Sequence, residues 1–133
     1  MSLLLDQLAA YLRIQGEGTV GIDLFKINRP AAPLACVSLH ATGGYPPDRY
    51  TEREHPTVML FARAATPDGA LHKAYSLYRK LHGQQNVGLG GGLWALTIEA
   101  VASPAYVGTE QAVDATAHLA SFNIVLDLRS PSS

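Results

Sequence analysis

Apolar and polar positions repeat along this chain with two different periods, and the period assigns each stretch to an element. Over residues 3–15, Leu5, Leu8 and Leu12 recur at helical spacing, and Leu4 and Tyr11 widen the stripe. Ser2 stands where an N-cap belongs, Arg13 falls in the last turn, and Gly16 can stop the helix in a left-handed conformation. The same period returns over residues 67–82, where Ala74, Leu77, Tyr78 and Leu81 form the apolar stripe. Thr66 is a natural N-cap there, Pro67 suits the first helical position, Asp68 complements the positive end of the helix dipole, and Gly83 ends the element.

Between and after the helices the period drops to two. Residues 22–28 predict a strand with imperfect alternation, broken by Arg29-Pro30-Ala31-Ala32-Pro33, because proline removes a ladder donor. Residues 34–41 predict a second strand, with Ala35, Val37 and Leu39 on one face and Cys36, Ser38 and His40 on the other. Thr57–Ala65 predicts a third, apolar on both faces and therefore central. In 93–102 the alternation sends Trp94, Leu96, Ile98 and Ala100 inward and Thr97 and Glu99 outward. The strongest alternation is at 118–129, with Ala120, Phe122, Ile124, Leu126 and Leu128 on one side and Ser121, Asn123, Asp127 and Arg129 on the other. Residues 84–92 read as a polar, glycine-rich connector, and 103–116 as a connection able to form a hairpin arm.

The order helix, three strands, helix, two strands predicts an α+β fold: an antiparallel or mixed sheet of about five strands with both helices packed on one face. One domain spans residues 1–133, with no internal repeat and a frayed tail over 130–133. The sheet's second face carries Cys36, Ser38, His40, Thr97, Glu99, Ser121 and Asn123, mixed enough to meet water or a partner. The longest irregular segment is 42–56, with two glycines, three prolines, Tyr45 and Tyr50. Connections of that length in a compact domain usually carry function.

Composition sharpens this picture in one respect. Apolar residues make up 47% of the chain but charged residues only 16%, well under the usual quarter. Uncharged surface left over on a soluble chain often belongs to a partner. A net charge of −1 offers no general phosphate-binding surface. The lone cysteine, Cys36, excludes an intrachain disulfide. No apolar run is long enough to span a membrane, and Met1-Ser2-Leu3 lacks the basic start of a secretory signal, so a soluble cytosolic chain is expected.

Enzymatic readings find little support. Gly88-Leu89-Gly90-Gly91-Gly92 follows a helix and precedes a strand, the reverse of a phosphate loop, and no Lys-Ser/Thr pair completes it. His40, His55, His72, His82 and His118 lack the paired spacing of a metal site, and His72 and His82 stand ten apart on one helix. Cys36 lies inside a strand, where a thiol is ordinarily a small buried apolar group. No nucleophile-elbow sequence is present, and Glu52 and Glu54 lie in a charged loop. Catalytic residues, metal and cofactor are therefore all expected to be absent. Tyr45, Asp48, Arg49, Tyr50, Arg53 and His55 instead supply the residue types enriched at protein interfaces.

The order of elements, taken with three local patterns, resembles the tail terminator and minor capsid (head–tail joining) proteins of long-tailed bacteriophages. The patterns are the opening helix Leu3–Leu12 followed by two strands and Gly43-Gly44-Tyr45-Pro46; the strand Pro56–Ala64 with an outward Arg63, followed by an Asp68-led helix; and Ala102-Ser103-Pro104-Ala105-Tyr106-Val107-Gly108, later followed by Ala120-Ser121-Phe122-Asn123-Ile124-Val125. One departure stands out. Family members often carry an Asp-Gly-Arg-like turn before the last strand, where this chain has Thr109-Glu110-Gln111-Ala112-Val113-Asp114-Ala115.

The resemblance implies a virion protein, assembled in the host cytoplasm, that forms a hexameric ring. The ring would cap the tail tube, end its polymerisation and join the tail to the head connector or stopper, with DNA only as cargo through the lumen. It implies no catalysis and no membrane. The expected contacts are Tyr45, Arg49, Tyr50 and Arg53 in the loop, with Asp48, His55 and Asp68 nearby and Arg63 paired with an acid. Another neck or head-completion protein of similar fold is the alternative, and a small ligand-binding or enzymatic domain is a third.

Overall fold

The computed structural model describes residues 2–16, 18, 24–26, 35–42, 55–90, 93–111 and 115–129. Its elements run α1 (Ser2–Ile14), β1 (Leu24–Lys26), β2 (Cys36–Ala41), β3 (Thr57–Ala64), α2 (Pro67–Leu81), β4 (Gln84–Gly90), β5 (Leu93–Ala100), β6 (Ala105–Gln111) and β7 (Thr116–Arg129). The fold is α+β with a mixed sheet, as its sequence pattern predicts, but the sheet has seven strands and not about five. The strands follow the order β1-β2-β3-β7-β5-β4, with β6 attached to β7 off that path.

β7 is the spine of this sheet. One of its edges pairs antiparallel with β3 from His118 to Val125. Its other edge pairs first with β6, from Thr116 to Ser121, and then with β5, from Ile124 to Arg129. β5 and β6 thus lie end to end along β7, interrupted at 101–104, where the buried Pro104 can donate no ladder hydrogen bond. The amide of Val101 still reaches the Asn123 carbonyl at 2.9 Å, so the break is short. β2 pairs antiparallel with β3, and β1 pairs parallel with β2. The proline-rich break at 29–33, the rest of the 22–28 strand and the tail at 130–133 lie outside the described residues.

Two of the strands correct the sequence reading. The connector expected at 84–92 is β4, paired with β5 from Gln84 onward. Glycine weakens a strand but does not forbid one, and here it serves packing: a Cβ on Gly88 would stand 3.2 Å from Cζ3 of Trp94 on the partner strand. The second is β6, which turns the hairpin arm expected within 103–116 into a full ladder. A further correction concerns β5. Its register shifts between Ala95 and Thr97, so Ala95 and Ile98 are buried while Trp94 is 42% exposed. A bulge inserts one residue and reverses the alternation, so Trp94 does not point inward as simple parity predicts.

One face of the sheet packs against both helices. Val37 and Leu39, Val58, Leu60 and Ala62, the alternating set from Ala120 to Leu128, and Ala95 and Ile98 are all buried there. From α1 come Leu4, Leu5, Leu8, Ala9 and Leu12, and from α2 Ala70, Ala74, Leu77 and Leu81, in one continuous cluster. Full burial of a leucine contributes about 1.5–3 kcal/mol, so this face dominates the stability. α2 lies over β3, β7, β5 and β6, whereas α1 touches β1, β2 and β4. Since β1 and β4 are the two ends of the strand order, the sheet curls until α1 spans the gap between them.

The helix termini form as their residues dictate. Thr66 is extended and its hydroxyl accepts from the Gly69 amide at 3.0 Å, with Pro67 at the first helical position. Gly16 and Gly83 follow the two helices at φ +82° and +83°, conformations that cost side-chain-bearing residues about 1–2 kcal/mol. α1 begins at Ser2 itself, one residue earlier than a Ser2 cap predicts. Lys80 Nζ donates to the Gln15 carbonyl at 2.8 Å, which ties the ends of the two helices together.

Candidate assembly interface

Strand direction divides the sheet into two ends, and the residues of interest sort between them. β3 runs from Thr57, opposite Val125, to Ala64, opposite His118. At about 3.3 Å per residue those ends are roughly 23 Å apart. The 42–56 segment leaves from the Thr57 end. Its base is closed by the Thr42 amide donating to the Thr57 carbonyl at 3.0 Å and by the two threonine hydroxyls 2.6 Å apart. On the other side of the base, the Leu126 amide donates to the Pro56 carbonyl at 3.0 Å. His55 is half-buried beside Asp127, its Nδ1 3.8 Å from the carboxylate Oδ1. Tyr45, Asp48, Arg49, Tyr50 and Arg53 lie outside the described residues.

At the opposite end stand Arg63, the start of α2 and the Gln111–Thr116 end of the β6–β7 ladder. Arg63 shares the second face of the sheet with Cys36 and Leu119, its register neighbours on β2 and β7. It is only 2% exposed, so the outward arginine expected on this strand is in fact enclosed. Its Nη1 donates to Glu110 Oε2 at 2.6 Å, a charge-assisted bond reaching across β7 to β6. Arg63 is thus paired with an acid of its own chain. Glu110 lies 47 residues away in sequence. The only sign of it in the sequence is that it lies where the family's turn is expected. Asp68 is exposed in the first turn of α2.

The second face is graded in exposure. Cys36, Ser38 and Arg63 are buried, while His40, Met59, Phe61 and Ser121 are half-buried. Asn123 and Glu99 are exposed. Its polar groups satisfy one another: His40 Nε2 lies 3.0 Å from Ser38 Oγ, and the His40 ring meets Phe61 edge-on. A shallow cleft near the Arg63 end is lined by Ala35, Cys36, Val37, Arg63, Gly69 and Lys73. Among the described residues no group of three or more His, Cys, Asp or Glu side chains could hold a metal ion. No described helix is long and apolar enough to cross a membrane.

The large apolar side chains exposed among the described residues include Ile14 at the end of α1 and Trp94 on β5. Tyr75 is on α2, Val101 in the break after β5, and Tyr106 and Val107 on β6, the last 54% exposed. The Tyr106 hydroxyl lies 2.9 Å from His118 Nδ1 across the β6–β7 ladder, which holds the exposed ring in place. Tyr75 stacks edge-on against Tyr78, which covers Phe122 in the same manner. The sequence pattern marks none of these residues as a contact, because isolated apolar residues in a connection give no periodic signal.

A solved structure whose description carries no function shares this fold, with a TM-score of 0.51 over 96% of this chain and 91% of its own, at 12% identity. No curated protein matches the chain. The family model of the bacteriophage tail terminator protein matches residues 11–128, from within the first helix to the end of the last strand, so this chain belongs to the bacteriophage tail terminator family, a family of structural virion tail components.

Proposed function

We propose that this chain forms a ring, of six copies as the resemblance implies, that caps the tail tube, ends its polymerisation and joins the tail to the head connector or stopper. The observation that carries the reading is the separation of two unlike surfaces at the two ends of one sheet. The base of the 42–56 segment marks one end, and the Arg63–Glu110 pair with the β6–β7 hairpin marks the other. A terminator needs this polarity. One side must match the last tube ring, and the other must offer different chemistry, so that no further tube subunit adds. A cyclic assembly of such subunits presents each end as a continuous annulus. DNA passes through the lumen as cargo, and the role needs no reaction chemistry.

Electron microscopy of particles made with and without the chain tests this. With the chain present, six copies are expected at the tail–head junction on tails of uniform length. Without it, tails of unregulated length that fail to join heads are expected. Normal, head-joined tails in its absence would overturn the proposal. Density for the chain at the head vertex, with tail length unaffected, would favour another neck component instead.

A further inference from the structure

Successive amides of a strand point to opposite edges, so a strand that outruns its neighbour leaves donors in need of another acceptor. At the end of β5 the Val101 amide goes to Asn123 of β7, and the Ala100 amide therefore faces the other edge, where β4 lies. The β4–β5 register begins with Gln84 opposite Ile98, and the Gly83 amide adds a bond to the Ile98 carbonyl at 2.9 Å. Continued backwards, that register sets residue 82 opposite Ala100. The backbone of His82 has already left the ladder: it caps α2, and its amide turns back to the Tyr78 carbonyl at 2.8 Å. Its side chain takes the place instead, and the Ala100 amide donates to His82 Nδ1 at 2.9 Å. The imidazole lies flat on the Tyr78 ring, with centroids 5.0 Å and planes 10° apart, and Tyr78 in turn meets Phe122 edge-on.

We propose that His82 is an acid-released clasp: its neutral imidazole completes the β4–β5 edge and holds the end of α2 to β5, and protonation of Nδ1 opens it. The device is independent of the ring reading above. A backbone amide only donates, so Nδ1 is the bare nitrogen and the ring proton sits on Nε2. Protonation makes both nitrogens donors, and the Ala100 amide then faces a donor. The bond is therefore present at pH values where the ring is neutral and is lost as pH falls and the ring takes up its second proton. His82 is an exposed residue, so that proton arrives from solvent without opening the core. The elements that meet here bring few competing charges. On α2 they are the stacked Tyr78 phenol, the exposed Arg79, and Lys80, which reaches the Gln15 carbonyl. On β5 there is Glu99, exposed on the sheet face away from the helices, while β4 and residues 122–126 of β7 carry no charge. The freed imidazolium has a second seat, because the carbonyl end of a helix attracts positive charge.

The test uses the full chain and NMR of the His82 ring nitrogens, with amide exchange read at Ala100. At about pH 8, above the ordinary imidazole range, the ring is expected as the Nε2–H tautomer. Between there and about pH 4, below that range, the ring is expected to titrate. Over the same step the protection of the Ala100 amide, corrected for intrinsic exchange, is expected to fall about three- to tenfold with the midpoint of the ring itself. In His82→Asn the side-chain oxygen accepts in place of Nδ1 and does not titrate, so Ala100 protection is expected to stay constant with pH. In His82→Ala it is expected to be low throughout. The measurements on the unmodified chain stand even where a variant does not fold. An Nδ1–H tautomer, a ring still neutral at the acid end, or Ala100 protection that ignores the ring's titration would overturn the proposal. Protection lost along the whole chain at one midpoint would be global unfolding, and overturns a local clasp as well.

Discussion

Arg63 carries a charge into a site that leaves 2% of its surface exposed, while its partner Glu110 keeps about a quarter of its side chain in solvent. The two halves of the pair are therefore not equivalent. Glu110→Ala leaves a buried guanidinium short of its carboxylate, for which about 3 kcal/mol of lost stability is expected. Arg63→Met leaves a carboxylate that water can reach and fills the space with apolar atoms, so a smaller loss, about 1 kcal/mol, is expected. Urea unfolding of the two variants checks the order, and equal losses would contradict the burial asymmetry. The family resemblance marks Arg63 as a candidate contact at an outward position of its strand. Its acid is invisible to spacing, since only the pairing of β6 with β7 brings position 110 across from position 63. Thr66 was legible from local chemistry alone. Thr66→Ala is expected to cost about 1 kcal/mol, read as a lower melting temperature, because the Gly69 amide loses its acceptor.

Elements were legible wherever burial on one side imposed a period. β7 and α2 match their predicted patterns within two residues, and β3 is central, paired with β2 on one side and β7 on the other. The pattern failed where strands are held by their neighbours' backbones and not by their own side chains. β4 carries glycines and no alternation, and β6 is mostly exposed, so neither has a period to detect. The bulge in β5 shows a related limit, since one inserted residue puts Trp94 and Ile98, of the same parity, on opposite faces. Core strands should show the ordinary cavity cost: Ile124→Ala, fully buried between β3 and β5, is expected to lose about 2–5 kcal/mol. Gly83 leads α2 into β4 at φ +83°, and the space where a Cβ would stand is open, with nothing within 4 Å. Gly83→Ala therefore isolates backbone strain, expected at about 1 kcal/mol by urea unfolding.

At the scale of the molecule, the placement of the candidate contacts matters more than their identity. The sequence groups Tyr45, Arg53, Arg63 and Asp68 as one interface, but the base of the segment bearing the first two stands at the opposite end of β3 from the last two. No periodicity reports that distance, because it depends on which way each strand runs. The separation makes the two surfaces independently removable. Deleting Tyr45–Arg53 is expected to leave the melting temperature within a few degrees, since the Thr42–Thr57 pair closes the base below the cut, while binding to tube ends is lost. Sedimentation with purified tubes reads the binding. Loss of folding would mean that the segment is structural.

α1 has a consequence for how the chain is made. The helix leaves the ribosome before the other described elements, yet one of the strands it rests on, β4, ends at Gly90. At a synthesis rate of roughly 5–20 residues per second, Leu8 and Leu12 wait several seconds for that seat to exist. During that interval the newborn chain carries an apolar helix without its full seat, and closing it down is a late event in its maturation.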